Sequence, residues 1–130
     1  MTVFGTLEER REGITLEYDE RLEADDGTTT QTHVRILTRD SRVMVVRQGD
    51  FSTILSFRKG QHYEGLYRTP FGEMPLELFA TDVCVDRQPG SGTILLEYQL
   101  GTGMDTVSHH MRIRYALRER ERNMDGTAEA

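Results

Sequence analysis

Ile14, Leu16, Tyr18 and Leu22 fall on one side of an extended chain, and Thr15, Glu17, Asp19 and Arg21 on the other. Alternation with period two commits a segment to a half-buried strand, because an amphipathic helix would repeat its apolar residues every three or four positions. The pattern returns in Ile94, Leu96, Tyr98 and Leu100, and again in Met111, Ile113, Tyr115 and Leu117. A chain made of such segments has one way to bury them, as a sheet that stacks or closes on itself.

Turn residues divide the chain at regular intervals. Asp26-Gly27 offers the positive φ angles of a two-residue hairpin turn, and the β-branched stretch Thr28 to Thr38 reads as the returning strand. Arg42 to Arg47 is apolar on both faces, which predicts cover on both. Gly49-Asp50 leads into Phe51 to Phe57, and Lys59-Gly60 into Tyr63, Gly65 and Tyr67 on one face. Pro70 and Pro75 bracket Phe71-Gly72-Glu73, and proline, lacking a ladder donor, places this stretch at a turn or strand edge. Leu76 to Val85 is long for one strand and is expected to bend near Thr81-Asp82. Pro89 to Gly92 reads as a loop and Gly101-Thr102-Gly103 as a turn. Leu7 to Glu12 admits a helical turn but carries no apolar stripe. About nine short strands linked by hairpins predict an all-β fold, a single antiparallel up-and-down barrel of about 8–10 strands. Residues 1–118 form the barrel domain, and the charged, then small and polar, stretch 119–130 is expected to fray.

The charge balance narrows the partners. Net charge is −6, the wrong sign for a nucleic-acid backbone or an anionic lipid surface, so neither nucleic acid nor membrane is expected. Arg112, Arg114, Arg118, Arg120 and Arg122 share one face of a continuous strand, with Glu119 and Glu121 on the other and Glu97 on the strand before. Cross-strand ion pairs on a solvated face account for such a stripe without a polyanion. Cys84 is the single cysteine, so no internal disulfide forms, and a reducing cytoplasm is the expected location. No apolar run is long enough for a transmembrane helix, and no secretory signal is visible.

Motifs that carry chemistry are few. Gly101-Thr102-Gly103 lacks the strand-to-helix context of a phosphate loop. His109 and His110 point to opposite faces of a strand, and with His33 and His62 they offer no metal-ligand spacing, so no metal and no cofactor is implied. Cys84 has no sequence-adjacent base and reads as a small packing residue. The tyrosines are more informative. Tyr18, Tyr98 and Tyr115 are in phase with inward aliphatic residues, Tyr63 and Tyr67 are in phase with each other, and Arg47 follows Val43 and Val45 in phase. A buried phenol needs a hydrogen-bond partner. The rings either fill the core with hydroxyls at the rim, or line a lumen that holds water or ligand.

The stretches Arg47-Gln48-Gly49-Asp50, Phe57-Arg58-Lys59-Gly60 and Tyr67-Arg68-Thr69-Pro70-Phe71-Gly72 carry a resemblance. With Tyr18-Asp19-Glu20 before them, and Leu76, Leu78 and Thr81 after, the chain resembles the YwiB-like family of uncharacterised bacterial proteins from about Val3 to Leu117. The Tyr-x-Thr-x-Phe-Gly turn is its most specific part. The resemblance implies a calycin-like, lipocalin-type antiparallel barrel and no established activity. It also implies a further strand ahead of the segment Thr2 to Glu9, so the expected barrel is completed upstream, stands open at its N-terminal seam, or is covered there by a second subunit as a homodimer. The Gly-x-Trp signature of lipocalins is absent, since the chain has no Trp.

The leading expectation is a non-catalytic cytoplasmic barrel for a small ligand of apolar or mixed polarity. Arg47 anchors an anionic or carbonyl group, and Tyr67, Tyr98 and Tyr115 supply flat walls with a hydroxyl. The alternative is a structural or protein-interaction module that uses the N-terminal edge or the arginine stripe. An enzyme, with Arg47 and Glu or His groups doing acid–base work at the mouth, ranks third because no carboxylate pair or triad stands out.

Overall fold

The computed structural model describes residues 3–102 and 105–118. Nine strands run in sequence order through one sheet: β1 (Gly5–Glu9), β2 (Ile14–Glu23), β3 (Thr29–Arg39), β4 (Arg42–Gly49), β5 (Ser52–Arg58), β6 (His62–Thr69), β7 (Gly72–Gln88), β8 (Ser91–Thr102) and β9 (Asp105–Ala116). Every neighbouring pair is antiparallel. The sheet curls into a calycin-like open barrel, the all-β, up-and-down class that the alternation predicts. An odd number of alternating strands leaves β1 and β9 running the same way, and among the described residues they exchange no ladder hydrogen bonds.

Side chains close what the backbone leaves open. Arg87 of β7 donates to the carbonyls of Arg10 and Arg11 at 2.7 and 3.3 Å, and Glu9 accepts the Gly90 N–H at 2.9 Å. The Arg118 guanidinium lies 4.9 Å from the centre of the Phe4 ring. These contacts tie the β1–β2 turn and the start of β1 to the β7–β8 turn and the end of β9.

Period two dictates the core. Ile14 and Leu16, Val34 and Ile36, Val43 and Val45, Leu55 and Phe57, Leu76 and Leu78, Ile94 and Leu96 are all buried on the concave side. All five tyrosines pack on this core, Tyr98 fully and the others in part. The side chain of Leu22, assigned by sequence to the same face, lies outside the described residues. Register links the strands laterally: Gly5, Tyr18, Val34, Arg47, Thr53, Tyr67 and Met74 form one inward row across seven strands.

Local readings fare unevenly. β7 breaks register between Ala80 and Asp82, at the expected bend. This bulge turns Val83 and Val85 inward and sets Cys84 outward, so Cys84 is exposed and is not a packing residue. Pro75 pairs with Leu66 of β6 in a part of β7 that precedes its ladder with β8, an edge position where a missing N–H costs nothing. Asp26-Gly27 sits in a five-residue connection, Ala24 to Thr28, and not in a two-residue turn. Asp26 accepts hydrogen bonds from both the hydroxyl and the backbone N–H of Thr28, which hold its carboxyl below the usual range and stabilise the wider loop. Leu7 to Glu9 belongs to strand β1, with no helical turn. The outer residues of β4, Met44 and Val46, are half-buried, since no second layer covers this face among the described residues. Gly103 and the stretch 119–130, with Arg120 and Arg122, lie outside the described residues.

Candidate functional site

Arg47 enters the concave face because it keeps phase with Val43 and Val45 at the end of β4. An arginine directed at an apolar surface needs a counter-charge. Glu20 supplies it from β2: its Oε1 is 3.5 Å from Arg47 Nε, with only 16% of the Glu20 side chain and 30% of the Arg47 side chain exposed. The pair spans β3, reaching over the strand that carries Val34, the register partner of both Tyr18 and Arg47. Burial pushes the Tyr18 phenol above its ordinary pKa and Glu20 adds to the rise, while the Arg47 charge opposes it. Tyr98 is likewise raised by burial and lowered by Arg47. One guanidinium therefore acts on two phenols from different parts of the sheet.

Beside Arg47 lies a cleft of about 330 Å3. Tyr18, Ile36, Val45 and Arg47 form one side, and Met111 to Arg114 of β9 the other. Its floor is aliphatic, and Arg112 and Arg114 alternate with the inward Met111 and Ile113 toward the outer face. Arg112 and Arg114 make no ion pair among the described residues, because Glu97, their expected partner, faces His110 at 3.5 Å. A second cleft of about 430 Å3 continues along the seam between Phe4 to Leu7 and Ile113 to Arg118.

The residues singled out by sequence are not all together. Arg47 and Tyr98 are electrostatically coupled; the Tyr98 ring meets Phe57 edge-on at 4.9 Å and stacks on His109 at 5.3 Å. Tyr67 shares Arg47's lateral row with Thr53 between them, and its ring packs edge-on against Phe51 at 6.2 Å. Tyr115 stands apart. It opposes Gly92 near the β7–β8 turn, where a Cβ on residue 92 would lie 2.5 Å from its hydroxyl. Among the described residues that hydroxyl is enclosed without a hydrogen-bond partner in the geometry, and burial raises its pKa against the nearby charge of Arg87. Tyr115 lines the seam cleft and a shallow one of about 360 Å3 beside Asp86 and Ser91, not the cleft of Arg47.

Sequence reasoning passed over Glu20, although its parity with Leu16 and Tyr18 is a usable signal for an inward carboxylate. It named Tyr18 as inward without placing it at the site. Met111 enters the cleft only because the sheet curls far enough to bring β9 opposite β2, which no local pattern encodes. Among the described residues, no group of three or more His, Cys, Asp or Glu side chains is placed to hold a metal ion.

An open, single-sheet antiparallel barrel with an arginine–glutamate pair on its concave face defines the structural class. The chain belongs to the family described as Domain of unknown function (DUF1934), whose model matches residues 1–115. Among solved structures it is similar to the crystal structure of ywiB protein from Bacillus subtilis, with a TM-score of 0.73 and 23% sequence identity over 88% of this chain and 75% of that one. That likeness establishes the fold, in agreement with the YwiB-like resemblance of the sequence. No curated protein matches the chain.

Proposed function

We propose that this chain is a non-catalytic, cytoplasmic barrel that holds a small molecule with an apolar body and an anionic group. The carrying observation is the inward Arg47, set among Tyr18, Ile36, Val45 and Met111 in an open cleft of about 330 Å3. That volume lies within the range of small-ligand sites, which combine apolar walls with a few fixed polar groups. Arg47 is the positive charge directed into the cleft, since Arg112 and Arg114 alternate with the inward Met111 and Ile113 and point to the outer face. Glu20 holds the guanidinium in position and keeps the empty cleft from carrying an uncompensated charge. The lone, exposed Cys84 fits a reducing compartment, and among the described residues no helix is long and apolar enough to cross a membrane.

Native mass spectrometry of gently purified protein, repeated after denaturation, tests this reading. An anionic small molecule lost on denaturation supports it. A clean apo monomer that also fails to take up an added apolar-bodied anion overturns it.

A second reading is favoured by one observation: β9 presents a regular, twelve-residue edge to the seam among the described residues. Such an edge is a template for strand addition, which suits an interaction module or a homodimer. A clean apo dimer in the same spectra moves this reading to first place.

A further inference from the structure

A further cavity lies away from the seam. About 570 Å3 opens in the barrel wall between β5 and β6. The β5–β6 ladder consists of Ser52 with Arg68 and Thr53 with Tyr67, whereas β6 and β7 stay paired from His62–Phe79 to Thr69–Gly72. The cause lies in the turn after β5. Gly60 donates to the Ala80 carbonyl at 2.8 Å and Ala80 donates to the Gln61 carbonyl at 3.3 Å, so the end of the β5–β6 hairpin is held by β7. β5 and β6 are thereby kept apart beyond Thr53.

Residues of both faces line the opening. Arg47, Thr53 and Tyr63 belong to the inward set, Ile54 and Leu66 to the outward set, so the slot reaches through the wall. Its outer lips carry the apolar Ile54 and Leu66, 46% and 49% exposed, beside the polar Gln48, Ser52, Glu64 and Arg68. Residue 65, in phase with Tyr63, is glycine, and the Tyr63 ring lies over it, 2.9 Å from where a Cβ would stand. The Tyr63 ring, and not a side chain of residue 65, therefore covers this point of the slot. Arg47 lines both this slot and the cleft beside β9.

We infer that the β5–β6 slot is the entrance through which an apolar-bodied anion reaches Arg47. The inference rests on the proposal that the Arg47 cleft binds such a ligand. Ile54 and Leu66 offer the apolar body its first contact, and Arg47 draws the anionic group inward. Opening the wall here requires no ladder hydrogen bond to break, unlike entry between fully paired strands.

Positions 54 and 66 lie past the last ladder pair, Thr53–Tyr67, where the strands separate, so a reducible bis-maleimide linker bridges them in place of a direct disulfide. The test places Ile54→Cys and Leu66→Cys in a Cys84→Ser background, joins them with the linker and follows anilinonaphthalene sulfonate by stopped-flow fluorescence. The expected result is association and dissociation slowed at least tenfold in the cross-linked protein, with Kd within threefold of the unlinked form and the faster rates restored when the linker is reduced. Leu66→Trp, which narrows the slot without a cross-link, is expected to slow association severalfold. Unchanged rates in a cross-linked protein that still binds overturn the entrance and leave the Arg47 site standing. Absence of binding to the unaltered chain overturns both.

Discussion

Arg47 and Glu20 meet over an intervening strand, with Arg47 Nε 3.5 Å from Glu20 Oε1 and Val34 of β3 in the row beneath. The contact links β2 to β4 without a shared ladder, and it sets the charge available to a ligand. Glu20→Gln removes the competing carboxylate while keeping the shape. It is expected to tighten binding of anilinonaphthalene sulfonate by about threefold to tenfold, equivalent to roughly 0.7–1.4 kcal/mol. Fluorescence titration of the two proteins checks this.

Thr38 is 5% exposed, and its Oγ1 accepts the Ile14 backbone N–H at 3.1 Å. Glycine at position 13 permits this approach, since a Cβ there would lie 1.6 Å from the Thr38 carbonyl oxygen. Thr38→Val keeps the volume and strands a buried donor. The expected loss is about 1–3 kcal/mol of unfolding free energy, read from urea denaturation with an unchanged m-value.

Phe57 is fully buried and meets the Tyr98 ring edge-on. Phe57→Ala leaves a cavity beneath the Arg47 site and is expected to cost about 3–5 kcal/mol, a large share of the roughly 5–15 kcal/mol typical of a domain. Thermal unfolding is the check. Phe57→Leu should restore most of the loss.

His33 lies between two carboxylates, with Nδ1 2.9 Å from Asp19 and Nε2 3.0 Å from Glu17, while Arg35 approaches Glu17 at 3.8 Å and Gln48 faces His33 across β4. A neutral imidazole has one N–H, so both contacts are satisfied only in the imidazolium. Hydrogen bonds to Asp19, then to Glu17, raise its pKa above the ordinary value. A raised folded pKa stabilises the fold fully below the unfolded value, about 6.5, and this stabilisation is lost as pH rises through the folded value. Wild type minus His33→Gln, compared by denaturation midpoint from acid to alkaline pH, is expected to fall across that window. A flat difference would contradict it.

The arginine clamp makes a local prediction. Arg87→Leu removes the donors to the Arg10 and Arg11 carbonyls and leaves β1, a five-residue strand paired on one side, held across the seam by the Glu9–Gly90 and Phe4–Arg118 contacts alone. Hydrogen exchange in Gly5–Glu9 should accelerate about tenfold or more, with β3 and β4 unchanged.

Alternation made the strands legible, and with them the inward phase of Arg47 and all five tyrosines. What period two cannot carry is height along a barrel. Tyr115 and Arg47 are both inward, but register places Tyr115 against Gly92 and Arg47 against Thr53, in separate clefts. Nor does local pattern report how far the sheet curls, which decides that Met111 and Ile113 face Tyr18. Cys84 was misplaced because one bulge after Ala80 shifts parity. The β5–β6 slot arises from hydrogen bonds between Gly60, Gln61 and Ala80, partners about twenty residues apart and invisible to turn chemistry.

The central claim is an anion site at Arg47, and paired titrations of wild type and Arg47→Met with two probes test it most directly. Anilinonaphthalene sulfonate and uncharged phenylnaphthylamine share an aromatic body and differ in the sulfonate. Wild type is expected to prefer the sulfonate by about tenfold, and Arg47→Met, which keeps an apolar stem, to lose that preference while still binding the neutral probe. Equal affinities of wild type for both probes, or a preference that survives in Arg47→Met, would contradict the account.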